Sequence, residues 1–254
     1  MEHLKPLKIV ALNGSPHRSG NTVTLMNWVL EGCEEMGACV EWLHVVDYDI
    51  RYCQGCFTCL RTGLCPIKDD FLALKEILLA ADGFVVGSPV YEGAPTAQLK
   101  TLMDRLALVH LYTILFERQF SVGVATSGIA PTKEVAKGLA FFFGRRSGYI
   151  GATTSTVAHG YRHLAEFHDP RLPDRARKIG RCLVADIQVP DRFRLPQRDS
   201  VVLWTLWKCF VRPMAANNPD QFSAVLPILD QKGRLPGRYK ARLALNVLHK
   251  NVNI

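Results

Sequence analysis

Four of the eight cysteines fall within thirteen positions: Cys53, Cys56, Cys59 and Cys65, spaced C-x2-C-x2-C-x5-C. Two-residue spacers let successive thiolates converge on one small object. Cys65 follows a turn-forming run, Arg61-Thr62-Gly63-Leu64, and can close the set. Four thiolates so compactly spaced suit a [4Fe–4S] cluster, and Pro66 directly after the last one matches the Cys-Pro ending of ferredoxin loops. Structural zinc usually takes two separated C-x2-C knuckles, and a redox disulfide needs only one pair. Zinc and free thiols stand as the alternatives. Cys33 and Cys39, inside predicted elements, and the distant Cys182 and Cys209 read as small buried hydrophobes.

Two further stretches carry chemistry. Gly14-Ser15-Pro16-His17-Arg18-Ser19-Gly20-Asn21-Thr22 combines small residues with hydroxyl and amide donors. It lies between a strand-like and a helix-like segment, where backbone N–H groups and the helix dipole favour an anion. Ser15, Ser19, Asn21 and Thr22 are the candidate phosphate donors. The loop is neither a G-x-G-x-x-G fingerprint nor a Walker loop. Ser88-Pro89-Val90-Tyr91-Glu92-Gly93 follows another strand, at the kind of strand end where open α/β sheets bind ligands. It offers backbone amides, with Tyr91 as an aromatic face.

The elements that must position these stretches follow an α/β alternation. Leu7–Asn13 is short and β-branched, as a strand buried on both faces should be. The pattern then predicts a helix over 22–36, a strand over 38–46, a helix over 70–80 opened by Asp69 and Asp70, and a strand over 83–87. It continues with a helix over 96–108, a strand over 119–126 ending in Ser127-Gly128, a helix over 132–144 and a strand over 149–157. Strand–helix–strand units of this kind imply a parallel sheet with crossover helices. The sheet is complete near residue 185, so residues 1–185 form one predicted domain with the cysteine loop at 47–70. Residues 186–254 form an extension broken by prolines, predicted to serve packing or oligomer contact. Trp204, Trp207 and Phe210 supply its apolar face. His159, His163 and His168 are too loosely spaced for a metal site and read as surface residues.

Composition narrows the classes. Net charge is +8, with 16 Lys+Arg against 6 Asp+Glu in residues 171–254. These charges are scattered among Leu, Trp and Pro, and no recognition module accompanies them, so nucleic acid is not an expected partner. No uninterrupted apolar run reaches a membrane span. The start of the chain shows no basic region followed by an apolar one, so a cytoplasmic location is expected.

Asn13-Gly14-Ser15-Pro16 with Gly20-Asn21-Thr22, the cysteine box with Lys68-Asp69-Asp70, and Gly87-Ser88-Pro89-Val90-Tyr91 with Gln98-Leu99-Lys100 and Asp104-Arg105 resemble the NADPH-dependent FMN reductase-like branch of the flavodoxin superfamily. Within it they resemble the iron–sulfur flavoproteins. The resemblance implies a flavodoxin-like, doubly wound, parallel five-stranded sheet of order 2-1-3-4-5, bound FMN, and homodimers or homotetramers. In such proteins the cluster loop of one subunit approaches the FMN of a neighbour. It assigns Ser15, Ser19, Asn21 and Thr22 to the FMN phosphate. Pro89, Val90, Tyr91, Glu92 and Gly93 would line the flavin ring, with Thr126, Ser127 and Gly128 at its other edge. Cys53, Cys56, Cys59 and Cys65 would ligate a [4Fe–4S] cluster. Where relatives carry a Gly-Gly-Gln-Glu-like segment, this chain has Ile129-Ala130-Pro131-Thr132-Lys133-Glu134.

The expected function is thus an FMN-dependent oxidoreductase passing electrons between the cluster and FMN, with NAD(P)H or a ferredoxin-like protein as donor. The alternatives are a cluster-free NAD(P)H-dependent FMN or quinone reductase and a non-enzymatic electron carrier for a ferredoxin-like partner. No catalytic acid or base stands out.

Overall fold

A computed structural model describes residues 6–113, 115–154, 167, 169–189 and 207–232. The chain divides into two compact units. The first comprises Met1–Tyr52, Asp69–Asp104 and Phe116–Arg192; the second comprises Cys53–Lys68, Arg105–Leu115 and Phe193–Ile254.

The first unit is an α/β sheet sandwich. Its strands are β1 (Lys8–Asn13), β2 (Cys39–His44), β3 (Gly83–Tyr91), β4 (Ala94–Pro95), β5 (Phe120–Ser127) and β6 (Arg145–Thr153). The main sheet runs β2-β1-β3-β5-β6 with every pair parallel, and the two-residue β4 pairs antiparallel with the end of β3. With β4 set aside, this is the expected flavodoxin-like order 2-1-3-4-5. The order in which strands are added reverses between β1 and β3, the switch point of such sheets. Five consecutive residues of β1, Ile9–Asn13, are buried, as a central parallel strand covered on both faces requires.

Helices α1 (Asn21–Glu34), α3 (Phe71–Leu79), α5 (Lys133–Phe142) and α6 (Leu172–Gln188) belong to this unit, as does Ala97–Asp104 of α4 (Ala97–Thr113). Two glycines set how closely α1 and α6 approach. A Cβ on Gly180 would lie 1.9 Å from the Val29 carbonyl, and one on Gly32 would lie 2.0 Å from that of Arg177. Ion pairs of Arg177 with Glu31 (2.8 Å) and of Arg181 with Glu35 (2.6 Å) flank the seam. Phe84, Phe116 and Phe143 pack ring to ring in the core, with centroids 5.2–6.0 Å apart.

Several sequence expectations shift. β3 continues to Tyr91, so Pro89–Tyr91 are strand and the turn shrinks to Glu92-Gly93. Both turn residues have positive φ (48° and 74°), the signature of a two-residue hairpin turn. β6 begins at Arg145, four residues earlier than its apolar pattern suggested. Arg145 sits over the Phe120 ring, 5.0 Å from its centroid, which lets a polar residue start an edge strand. The expectation of four buried cysteines is corrected. Cys33 is buried, and burial followed by Glu34 pushes its thiol up to about 12, but Cys39, Cys182 and Cys209 are exposed. β2 is an edge strand, which leaves Cys39 at its start open to solvent. His159, His163, His168, Trp204 and the side chain of Trp207 lie outside the described residues.

Among the described residues the second unit is helical: α2 (Thr58–Thr62), Arg105–Thr113 of α4, a π-helical turn at Trp207–Val211, α7 (Arg212–Asn217) and α8 (Val225–Gln231). Its core is Leu60, Tyr112, Ala215, Phe222, Val225, Leu226 and Leu229, with Cys59, Leu108 and Val211 packed against it. No described helix is long and apolar enough to cross a membrane.

Candidate functional site

Asn13 organises the carboxyl end of β1. It is fully buried. Its side-chain oxygen accepts from the Ser15 N–H (2.9 Å), and its amide donates to the His17 carbonyl (2.9 Å). The same amide nitrogen lies 3.0 Å from His44 Nδ1. Since the Asn13 oxygen is committed to Ser15, the nitrogen is the donor and His44 Nδ1 the acceptor. The His17 N–H donates in turn to Ser15 Oγ (3.1 Å). The loop is therefore built before any ligand enters.

The three segments expected around one ligand meet at these strand ends. The Gly14 N–H donates to the Gly87 carbonyl (2.8 Å), and the Gly14 carbonyl accepts from Thr96 Oγ1 (2.5 Å). The Thr96 N–H donates to Ser88 Oγ (3.0 Å). Gly14 must be glycine, because a Cβ there would lie 2.6 Å from the Leu99 side chain. Thr22 in the first turn of α1 shares a 2.6 Å hydroxyl–hydroxyl bond with Thr126 at the end of β5. Ser127 Oγ instead accepts from the Ile129 and Ala130 N–H groups, which makes it a turn-former. Of the remaining expected residues, Ser19 is exposed, Asn21 and Gly128 are half-buried, and Val90 is buried. Pro89 is half-buried, while Tyr91, Glu92 and Gly93 are exposed on the hairpin.

The start of α1 is open to an anion. Its N-cap is Gly20 (φ 131°), no side chain caps it, and no acidic residue stands in its first turn. A Cβ on Gly20 would meet nothing within 4 Å. The unsatisfied N–H groups of that turn thus border open space.

In the same unit, the two ends of the cysteine excursion are stapled by carboxylates. Asp70 accepts from the Asp49 N–H (2.8 Å) and donates its own N–H to the Asp49 carbonyl (3.0 Å). Asp69 accepts from the Arg51 N–H (3.0 Å) and caps α3 through the Phe71 N–H (3.1 Å). The capping expected of Asp69 and Asp70 is thus done by Asp69 alone.

All four box cysteines belong to the second unit and none is in a disulfide. Cys59 lies on α2, between Phe57 and Gly63, both left-handed (φ 57° and 80°). Its thiol is pushed up by burial and then by the Cys65, Cys53 and Cys56 sulfurs, so all three sit within electrostatic reach. The Cys56 thiol is held below its ordinary value, chiefly by hydrogen bonds from Thr58, with Arg105 adding to the effect. Among the described residues no three His, Cys, Asp or Glu side chains converge to metal-binding distance. The thiols are gathered on one turn without being drawn together.

The family model described as NADPH-dependent FMN reductase matches residues 7–160, more than half of the chain. The chain belongs to this family. It is 40% identical over 99 residues to an iron–sulfur flavoprotein of Methanocaldococcus jannaschii, covering 39% of this chain and 51% of that one. An iron–sulfur flavoprotein of Archaeoglobus fulgidus is 35% identical over 123 residues, 48% of this chain and 60% of its own. The matches therefore span about half to three fifths of these relatives. An iron–sulfur flavoprotein of Clostridioides difficile aligns over 229 residues at 20% identity, 89% of this chain and 98% of its own. Among solved structures, a flavone reductase shares the fold with a TM-score of 0.53 at 20% identity, over 73% of this chain and 64% of that one.

The residues present suit the family's flavin. The uncapped α1 start and the open space at Gly20 offer unsatisfied backbone N–H groups to an anion, and the Thr22–Thr126 hydroxyl pair ties that start to the end of β5. The cysteine turn suits an iron–sulfur cluster by donor chemistry, with four thiols on one loop and no disulfide. Asn13, Ser88, Thr96 and His44 were missed as site builders. A buried Asn closing a strand before Gly-Ser was the available signal for the first.

Proposed function

We infer that this member of the FMN reductase family is an FMN-dependent oxidoreductase in which electrons pass between FMN and a [4Fe–4S] cluster held by Cys53, Cys56, Cys59 and Cys65. The observation that carries the reading is the gathering of four disulfide-free cysteines within thirteen residues of the second unit, with Cys59 held on α2. When bound, FMN stores two electrons and the cluster exchanges one at a time.

The chain's own residues bind and orient. The α1 N-terminus with Ser15, Ser19, Asn21 and Thr22 would hold the phosphate. Pro89–Gly93 and Thr126–Gly128 would border the ring, with the exposed Glu92-Gly93 turn setting access to one side. Gly14 joins the two loops, so the phosphate and ring contacts are set by one backbone junction. No side chain in this set is placed as an acid or base. We assign electron supply to NAD(P)H or a ferredoxin-like donor, and assembly to a homodimer or homotetramer.

The match to the family described as NADPH-dependent FMN reductase supports a second reading, a cluster-free NAD(P)H-dependent FMN or quinone reductase. An anaerobic absorption spectrum with iron and acid-labile sulfide assays separates the two, on wild type and Cys56→Ser. The first reading expects flavin bands plus about four iron and four sulfide per chain, lost in the variant. Flavin bands without iron or sulfide, unchanged by the substitution, leave the second.

A further inference from the structure

The extension beyond the sheet has no role in the reading above, yet it meets the cysteine turn directly. α2 is only five residues long, and a helix that short does not hold its shape alone. It has no side-chain N-cap, and its left-handed flanks include a non-glycine, Phe57. Its geometry must come from tertiary partners.

Those partners are in residues 207–232. The carbonyls at the end of a helix need donors from elsewhere. On α2, the Leu60 carbonyl accepts from the Ala224 N–H (3.2 Å) and the Arg61 carbonyl from Ser223 Oγ (2.8 Å). The Cys59 carbonyl accepts from the Gly63 N–H (3.0 Å). Leu60, fully buried, enters the core formed by Tyr112, Phe222, Val225, Leu226 and Leu229, with the Tyr112 and Phe222 rings 4.8 Å apart. Cys59 packs against this core, while Cys56 three residues earlier is exposed.

We propose that residues 207–232 are the positioning segment of the cysteine site: Phe222, Ser223 and Ala224 fix the α2 turn and with it the place of Cys59 among the four thiols. This rests on the cluster reading above for its purpose, but not for its geometry. Ser223 and Phe222 are positioning residues, acting through the backbone and packing of α2 rather than on the bound group.

The test uses the full-length reduced protein without iron. Alkylation by iodoacetamide is followed at each cysteine by peptide mass spectrometry, alongside iron and sulfide content after reconstitution. In wild type, Cys56 reacts much faster than Cys59. Phe222→Ala is expected to raise the Cys59 rate at least tenfold, leave Cys56 within about twofold, and lower iron and sulfide below half the wild-type content. Ser223→Ala removes the hydroxyl that donates to the Arg61 carbonyl and, more weakly at 3.3 Å, to that of Asp220; it leaves no large cavity, so it guards against simple unfolding. It is expected to raise the Cys59 rate about fivefold, the equivalent of one such bond. Cys59 protection unchanged in both variants overturns the positioning role. Wild-type protein that takes up no iron overturns the cluster reading and the purpose given to the segment, while the alkylation result still decides the ties themselves.

Discussion

The phosphate loop and the cysteine turn are both short stretches carrying the residues for a bound group, and they are held in opposite ways. The loop after β1 takes its inner shape from within: Asn13 bonds to Ser15 and His17, and Ser15 bonds to His17, inside five residues, with His44, Gly87 and Thr96 adding ties from the neighbouring elements of the same unit. The cysteine turn is fixed from without, by an apolar floor and by donors, Ser223 and Ala224, more than 160 residues along the chain. Hydrogen bonds between near neighbours preorganise a site at little loop-closure cost, whereas a floor brought from far away makes the site depend on the stability of a separate unit. Damage to the first should remove flavin and leave the cysteines. Damage to the second should do the reverse.

The largest expected effect tests the loop. Asn13→Leu strands the Ser15 N–H, the His17 carbonyl and His44 Nδ1 around a buried apolar side chain. Unpaired buried groups cost about 1–3 kcal/mol each, less where partly wetted, so a loss of about 4 kcal/mol is expected. FMN affinity, read by quenching of flavin fluorescence, should fall more than 100-fold. Retained affinity would mean that the Asn13 network is not what shapes the loop.

Leu60→Ala is the matching cut in the other region. Truncating a fully buried Leu costs about 3 kcal/mol. Denaturant unfolding followed by Cys59 alkylation and by the flavin signal separately should show the second unit melting earlier while FMN stays bound. Simultaneous loss of both signals would break the contrast between the two regions.

Acid should also act on the second unit first. Burial, followed by the nearby Lys232, pulls His110 down from 6.5 to about 4. His110 is therefore neutral in the folded state over a window where the unfolded chain binds a proton. Its contribution is intact above pH 6.5, and stability falls as pH drops from 6.5 towards 4, by roughly 2–3 kcal/mol. His110→Leu should flatten that slope in the unfolding of the second unit. A slope unchanged by the substitution assigns the acid sensitivity to other groups.

The same contrast explains what could be read from sequence. The βα alternation was legible because its signals are local, apolar runs with buried β-branched residues, whereas the strand order came only with the family resemblance, since no local pattern says which strands pair. The cysteines were legible as a set by spacing alone. Their support was not, since Phe222, Ser223 and Ala224 carry no pattern that points to residue 60. The hairpin at Glu92-Gly93 was missed because its first residue lacks the usual Asn or Asp of a turn with two positive φ values. Exposure of Cys182 and Cys209 was missed because a cysteine's burial depends on which helix face finds a partner, and neither position has a local cue.

The smallest effect sharpens the comparison most finely, because it separates shape from hydrogen bonding inside the loop. His44 stacks on Trp42, with centroids 5.6 Å apart and planes 11° from parallel, and this holds its Nδ1 at the Asn13 amide. Nδ1 must accept, so neutral His44 carries its proton on Nε2. His44→Phe keeps the stack and loses the acceptor, leaving one Asn13 N–H short of a partner. That costs about 1 kcal/mol and about fivefold in FMN affinity. His44→Gln restores an acceptor without the ring and should recover most of that loss. If Phe binds FMN as well as wild type and Gln does not, the stack rather than the hydrogen bond supports Asn13, and the loop is held from without after all.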